Sequence, residues 1–230
     1  MIISAHQPAY LPWVGYFAKI ARADAFVLHD LSRIGRRNKL NRNTIRTATG
    51  ELLLTVPLNG ADVRAERPLN EIRVHDDGWR RRHWKAIRLA YRRAPFFEEH
   101  EEFLAGYYGR EYRTLDELCA PFIDYCASVL GLADRISRLS ALGLPPVDRT
   151  TIVPELCRHF GADTFLLGPH AADYLDFDEL RRQGIRPEVF VYDHPRYRQQ
   201  YPGFVSHLSV LDLILNCGPQ AADIVKGGSA

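Results

Sequence analysis

MIISAHQPAYLPWVGYFAKIARADAFVLHD (1–30) is the stretch that decides the fold. MIISA (1–5) is short and apolar, as a buried strand is, and WVGYFAKIAR (13–22) places Val14, Phe17, Ala18 and Ala21 at helical spacing. AFVLHD (25–30) is a second apolar run that stops at His29 and Asp30. Strand, helix and strand in so short a length predict a parallel βαβ unit. Ligands of such sheets bind beyond the carboxyl ends of the strands. The polar pairs His6–Gln7 and His29–Asp30 fall at those ends, so the site is expected there.

Outward from this unit the pattern changes. NTIRTA and ELLLTVPL flank Thr49–Gly50 and predict two antiparallel strands, with NEIRVH (70–75) as a third short strand beside them. From 78 to 132 the period is helical. Trp79, His83, Ile87 and Tyr91 recur every four residues, Ala94–Pro95 interrupts, and two further helices follow at 96–108 and 114–130, the last before Gly131 in the place of a C-cap. After LGLPPVDR (142–149) the α/β alternation resumes: helix (150–161), strand TFLLG (164–168), helix (177–184), strand PEVFVYDH (187–194) and a final helix (208–218). The expected fold class is therefore α/β: a mostly parallel sheet opening with a βαβ unit, an antiparallel hairpin, and a helical insertion or lobe in the middle of the chain. One domain is expected over 1–230, with an α/β core at 1–77 and 150–218, the lobe at about 78–132 and a mobile tail from 219.

With 230 residues, 46% of them hydrophobic, the chain buries a core without help from disulfides or metal. No run approaches the apolar length of a membrane span, and MIISAHQPAY meets polar residues too early for a secretory signal peptide. A cytoplasmic protein with free thiols is the expectation. Cys119, Cys126, Cys157 and Cys217 form no CxxC pair, the first two sit in an apolar helix, and no metal is required. The net charge of +2 hides two basic windows, Arg33–Arg46 and Arg80–Arg93. Two basic clusters on a near-neutral chain point to local anion binding and rank nucleic acid last.

Four constellations are able to carry chemistry. In the first, His6 serves as acid or base, Gln7 orients a ligand, and Tyr10 and Trp13 offer ring faces at a proline-stiffened helix entry. The second, Arg36 to Asn43, follows the second strand end, and its Lys39, Arg42 and Asn43 suit a phosphate. The third is His83 with Tyr91 on the basic helix, either core-edge packing or a group completing the pocket. The fourth is Gly168–Pro169–His170 at the end of TFLLG, with Asp173 and Tyr174 close behind. Ser209 and Asp212 are read as a helix N-cap and its first turn, and no GxSxG elbow supports serine catalysis.

The segments HQPAYLPWVGYF (6–17), ADAFVLHD (23–30), LNRNTIRT (40–47), LLLTVPL (52–58), AYRRAPFF (90–97), GADTFLLGPHAADYL (161–175) and LSVLDLILNCG (208–218) resemble, in order, the WbqC-like family. That resemblance implies a place in bacterial surface-polysaccharide or related biosynthesis. It also implies transfer chemistry on a phosphate-bearing intermediate such as a nucleotide-activated amino sugar. Positions carrying the likeness with polar or aromatic chemistry are His6, Gln7, Tyr10, Trp13, Asp30, Arg42, Asn43, His83 and Tyr91. A strand, a His-bearing loop, a helix and a second strand ending in Asp also resemble HxGH nucleotidyltransferases, but Gln-Pro-Ala follows His6 in place of the phosphate-gripping residues. The expected enzyme takes a small phosphate-bearing substrate, without membrane insertion and with no cofactor named by the sequence. The alternative is a non-catalytic small-molecule-binding or scaffold protein of the same pathway.

Overall fold

The computed structural model describes residues 1–34, 39–148 and 150–227. Its opening is β1 (Ile2–His6), α1 (Val14–Arg22) and β2 (Ala25–Leu28). β1 and β2 pair in parallel, with Ile3 opposite Ala25 and His6 opposite Leu28. Asp24, in the turn before β2, fixes that register by accepting the Ile2 N–H at 2.7 Å. The hairpin follows as β3 (Arg42–Thr47) and β4 (Gly50–Thr55), paired antiparallel through Ile45 and Leu52.

A short α2 (Gly60–Arg64) precedes the helical stretch, which holds α3 (Trp79–Tyr91), α4 (Phe97–Gly109) and α5 (Leu115–Val129). Thr114 starts α5 by accepting the Glu117 N–H. Gly131 ends it in the left-handed region at φ 66°, which a side chain would disfavour. β5 (Ile136–Arg138), α6 (Ile152–Phe160), β6 (Thr164–Leu167), α7 (Phe177–Arg182) and β7 (Arg186–Val189) complete the sheet, and α8 (Val210–Cys217) and α9 (Ala221–Val225) close the chain.

Five strands form one wholly parallel sheet in the order β5-β2-β1-β6-β7. Numbered along the chain they read 3-2-1-4-5, the order of a doubly wound nucleotide-binding sheet, so the winding direction reverses between β1 and β6. Alternation along the strands divides the core. Phe26 and Leu28 join α1, α3, α4, α5 and α8 on one face. Ile3, Ala25, Val27, Phe165 and Leu167 join α6 on the other. The helical stretch is thus inserted between β2 and β5 and packs into the same core cluster as α1.

Three expectations are revised. NEIRVH (70–75) forms no strand; Arg73 and Val74 make only isolated bridges, to Thr114 and Leu58. β7 ends at Val189, short of the expected strand, because its sole neighbour β6 turns away at Gly168 and leaves the next residues nothing to pair with beyond one Phe190 N–H to Leu167. Within the expected tail (219–230), residues 221–225 form α9, whose Ala221, Ile224 and Val225 are buried, while 228–230 lie outside the described residues. The small and branched side chains of α9 recur at helical spacing, and the helix packs against α1. β5, a three-residue strand of mixed polarity, carried no sequence signal.

Candidate functional site

His6 ends the central strand beside the point where the strand order reverses. Its ring meets Tyr16 edge to face with centroids 5.0 Å apart. Nδ1 lies 3.0 Å from the Gln7 carbonyl, which only accepts, so Nδ1 carries the proton and Nε2 keeps its lone pair. His6 is exposed to solvent, yet the protein packed around it desolvates the ring and, with the nearby Lys19 cation, lowers its pKa to about 4. The imidazole is thus exposed to solvent and neutral at pH 7.

Lys19 is the neighbour that makes this corner cationic. It is buried on α1 and donates to the Ala5 carbonyl at 3.2 Å. Burial lowers its pKa to about 8, so it remains mostly charged at pH 7. Among the described residues it forms no ion pair. Gln7 completes the strand end, its amide donating to Ser32 Oγ at 2.9 Å.

The loop after β1 is held from three sides. Tyr10 N–H donates to the Leu40 carbonyl, the Asn43 amide donates to the Leu11 carbonyl, and Val210 N–H donates to the Pro12 carbonyl. Leu11, fully buried, has φ 47°, a conformation costing a leucine roughly 1–2 kcal/mol. Those bonds fix it there, so Asn43 is the strap that joins the hairpin to the loop.

Trp13 lies against Gly15, where an added Cβ would meet the indole at 2.3 Å. The indole stacks on His207 at 5.3 Å and meets Tyr192 edge-on at 5.2 Å. His207, at φ 61°, lies 4.9 Å from His194, centroid to centroid. His194 Nδ1 donates to the Pro195 carbonyl, while its Nε2 and the Tyr192 hydroxyl are buried without partners. These aromatic groups come from the segment after β7 and meet the loop after β1.

On the same sheet face, β1, β2 and β5 align His6, Leu28 and Arg138 in one row, which separates the outer two by about 10 Å, two strand spacings. Arg138 pairs with Asp116 at 2.9 Å. Both line a cavity of about 310 Å³, together with Asp124 and Tyr112. Burial raises the Asp116 and Asp124 pKa values, against the pull of Arg138.

The structure brings His6, Gln7, Trp13 and Asn43 to the strand-end region, leaves His170 beyond the end of β6, and engages Asp30, Tyr10, His83 and Tyr91 in buried contacts. Asp30 is buried and accepts from Ser140 N–H and, in a short contact, from Ser140 Oγ, so it fastens β2 to the segment after β5. Tyr10, fully buried, bonds His83 Nδ1 at 2.9 Å and the Tyr108 hydroxyl at 2.6 Å. Tyr91 donates to Asp212 and accepts from Arg46 N–H, clamping α3 to α8 and β3. These buried groups offer a ligand no surface in this conformation. His170 is exposed beyond β6, 3.7 Å from Asp173. Lys39 is exposed and Arg42 half-buried on β3; Arg36, Arg37 and Asn38 lie outside the described residues. On α3, Arg80, Arg82 and Arg88 pair with Asp76, Asp77 and Glu101, which neutralises part of the second basic window.

Lys19, Tyr16 and Arg138 were not foreseen. Lys19 had one signal, a lone cation inside the apolar run VGYFAKIA (14–21), three residues after Tyr16 and so on the same helical face. Arg138 had none, since its role depends on a non-local strand pairing.

The profile of the WbqC-like protein family matches residues 7–224. An "Uncharacterized protein Rv1507c" of Mycobacterium tuberculosis is 33% identical over 225 residues, covering 96% of this chain and 95% of that protein. No solved structure matches. The chain belongs to the WbqC-like family. Among the described residues no helix is long and apolar enough to cross a membrane.

Proposed function

From membership of the WbqC-like family and the strand-end geometry, we infer a transferase of small-molecule biosynthesis. It acts on a phosphate-bearing intermediate such as a nucleotide-activated amino sugar, in bacterial surface-polysaccharide or related biosynthesis. The observation that carries this reading is His6, solvent-open and neutral at the reversal of a 3-2-1-4-5 parallel sheet. Parallel sheets of this order hold nucleotides and phosphates at that place; fold order alone implies no chemistry, so the side chains bear the weight.

In this mechanism the phosphates lie across the ends of β1 and β6, attracted through space by the buried Lys19 and contacted by His170 and Lys39. The Lys19 cation in desolvated surroundings acts more strongly than one in water. His6 Nε2 accepts the proton of the attacking amine or hydroxyl as that atom's bond to the transferred group forms. The bond from this group to the donor's phosphate breaks, the phosphate leaving with the bonding electron pair. An imidazole with pKa about 4 is a weak base; a bound anion raises that value toward the working range by favouring the imidazolium. The rigid loop 7–13 holds His6 and Gln7 in place, so geometry is set before the substrate arrives.

The test is turnover. With a donor and acceptor found by screening, His6→Ala is expected to lower kcat by about 10²–10⁴-fold, the usual scale of general acid–base catalysis, while donor affinity changes little. Unchanged turnover would remove His6 from the chemistry. A donor that binds without any turnover in the unaltered protein would favour the non-catalytic binding protein.

A further inference from the structure

A second cavity, of about 760 Å³, lies at the far end of α8 from the Pro12–Trp13 loop. Its size suits a small ligand, since such pockets run from about 300 to 1,000 Å³. Phe96, Ile224 and Cys217 supply apolar walls, and Arg196 and Arg198 are the charged residues of the lining. Among the described residues no carboxylate lines it.

Each wall has a physical reason for its place. Phe96 packs on Gly218, which has φ 52° and where an added Cβ would meet the phenyl ring at 2.4 Å. Phe96 N–H donates to the Leu215 carbonyl, fixing the ring beside the end of α8. Asn216 is already used at both ends, accepting from Gln200 N–H and donating to the Asp212 carbonyl. Burial pushes the Cys217 thiol up to about 11, so it is a neutral wall at pH 7. Arg196 lies over the Phe204 ring at 4.9 Å, a contact that orients the guanidinium without neutralising it.

Charge decides what fits. Among the described residues neither Arg196 nor Arg198 forms an ion pair. The nearby Asp212 is fully buried, with both oxygens accepting from Tyr91, Tyr197 and Gln199, so it presents no carboxylate to the cavity. Two guanidiniums bordering apolar walls, with no acid among them, complement an anion that has an apolar body.

We propose that this cavity is a second binding site, separate from the strand ends, for a small amphipathic anion. Its carboxylate or phosphate pairs with Arg196 and Arg198, and its aromatic or alkyl body packs on Phe96 and Ile224.

The experiment uses the full chain and the fluorescence of 8-anilinonaphthalene-1-sulfonate, an aromatic anion that brightens in apolar surroundings. The expected result is saturable one-site binding that decanoate displaces and decanol does not. Arg196→Ala/Arg198→Ala and the cavity-filling Ile224→Trp should each weaken it at least tenfold, and His6→Ala should leave it unchanged. Arg198→Ala alone, at an exposed side chain, keeps the test valid should the double variant misfold by circular dichroism. No binding, equal displacement by decanol, or affinity indifferent to the arginine variants would each overturn the proposal. Loss in His6→Ala would overturn it too, by moving the dye to the strand ends, while failure of the transferase reading leaves these outcomes untouched.

Discussion

At the scale of single residues, two histidines of similar pKa do different work. His6 and His83 are both lowered to about 4, chiefly by desolvation. His6 is exposed, whereas His83 is buried and bonded to Tyr10. His83 carries a stability consequence. Unfolded histidine takes up its proton near pH 6.5, but the folded site resists until about 4, so the unfolded state binds more protons between these values and stability falls as pH drops through that window. The shift caps the His83 contribution at roughly 3 kcal/mol. Urea unfolding from pH 7 to pH 4 should show the loss, and His83→Gln should make it smaller, the remainder coming from His6 and the other histidines whose pKa values are lowered by burial. An equal slope in both proteins would assign the loss to those other groups. Of the residues themselves, His6 and Gln7 were readable because polar groups that stop an apolar strand mark its end. Tyr10, Asp30 and Tyr91 have the same chemistry on paper. Only packing reveals that their polar atoms face Tyr108, Ser140 and Asp212.

Among the elements, α1 and the loop before it carry the candidate site. The helix was legible from its apolar spacing, and the hairpin from its two strands flanking Thr49–Gly50. What could not be read is that the hairpin straps the loop through Asn43 and that Trp13 folds back on Gly15. Both contacts depend on where separate elements meet. Gly15 gives this arrangement a direct check. Its φ is unremarkable, so a Cβ meets a steric obstacle only, the indole at 2.3 Å. Gly15→Ala should displace Trp13 from His207 and cost about 1–3 kcal/mol, the range for overpacking a tight site. Tryptophan fluorescence and thermal unfolding measure the two effects. A variant with unchanged stability and emission would show that the indole does not need this place.

Across the whole molecule, the parallel sheet was foreseen but its order was not. The run from β2 to β5 passes through the hairpin and three long helices, and the strand that resumes the sheet is only Ile136–Arg138. Local patterning cannot announce so short a strand after so long an insertion, nor say on which side of β1 the strand β6 will pair. Yet that order puts His6 at the reversal point, and on it the functional reading depends. The family match over residues 7–224 begins one residue after His6 and runs from the strand-end loop through β2, β5, β6 and β7 into α9.

The central claim, that a phosphate-bearing ligand is held at the ends of β1 and β6, is met most directly by a thermal-shift screen with nucleotides and nucleotide sugars. It would compare the unaltered protein with Lys19→Met. A ligand at one hundred times its dissociation constant adds about 2.7 kcal/mol, an easily measured rise in Tm. The account predicts such a rise for at least one nucleotide sugar, and a markedly smaller one in Lys19→Met. No rise with any phosphate-bearing compound, or a rise indifferent to Lys19, would contradict it.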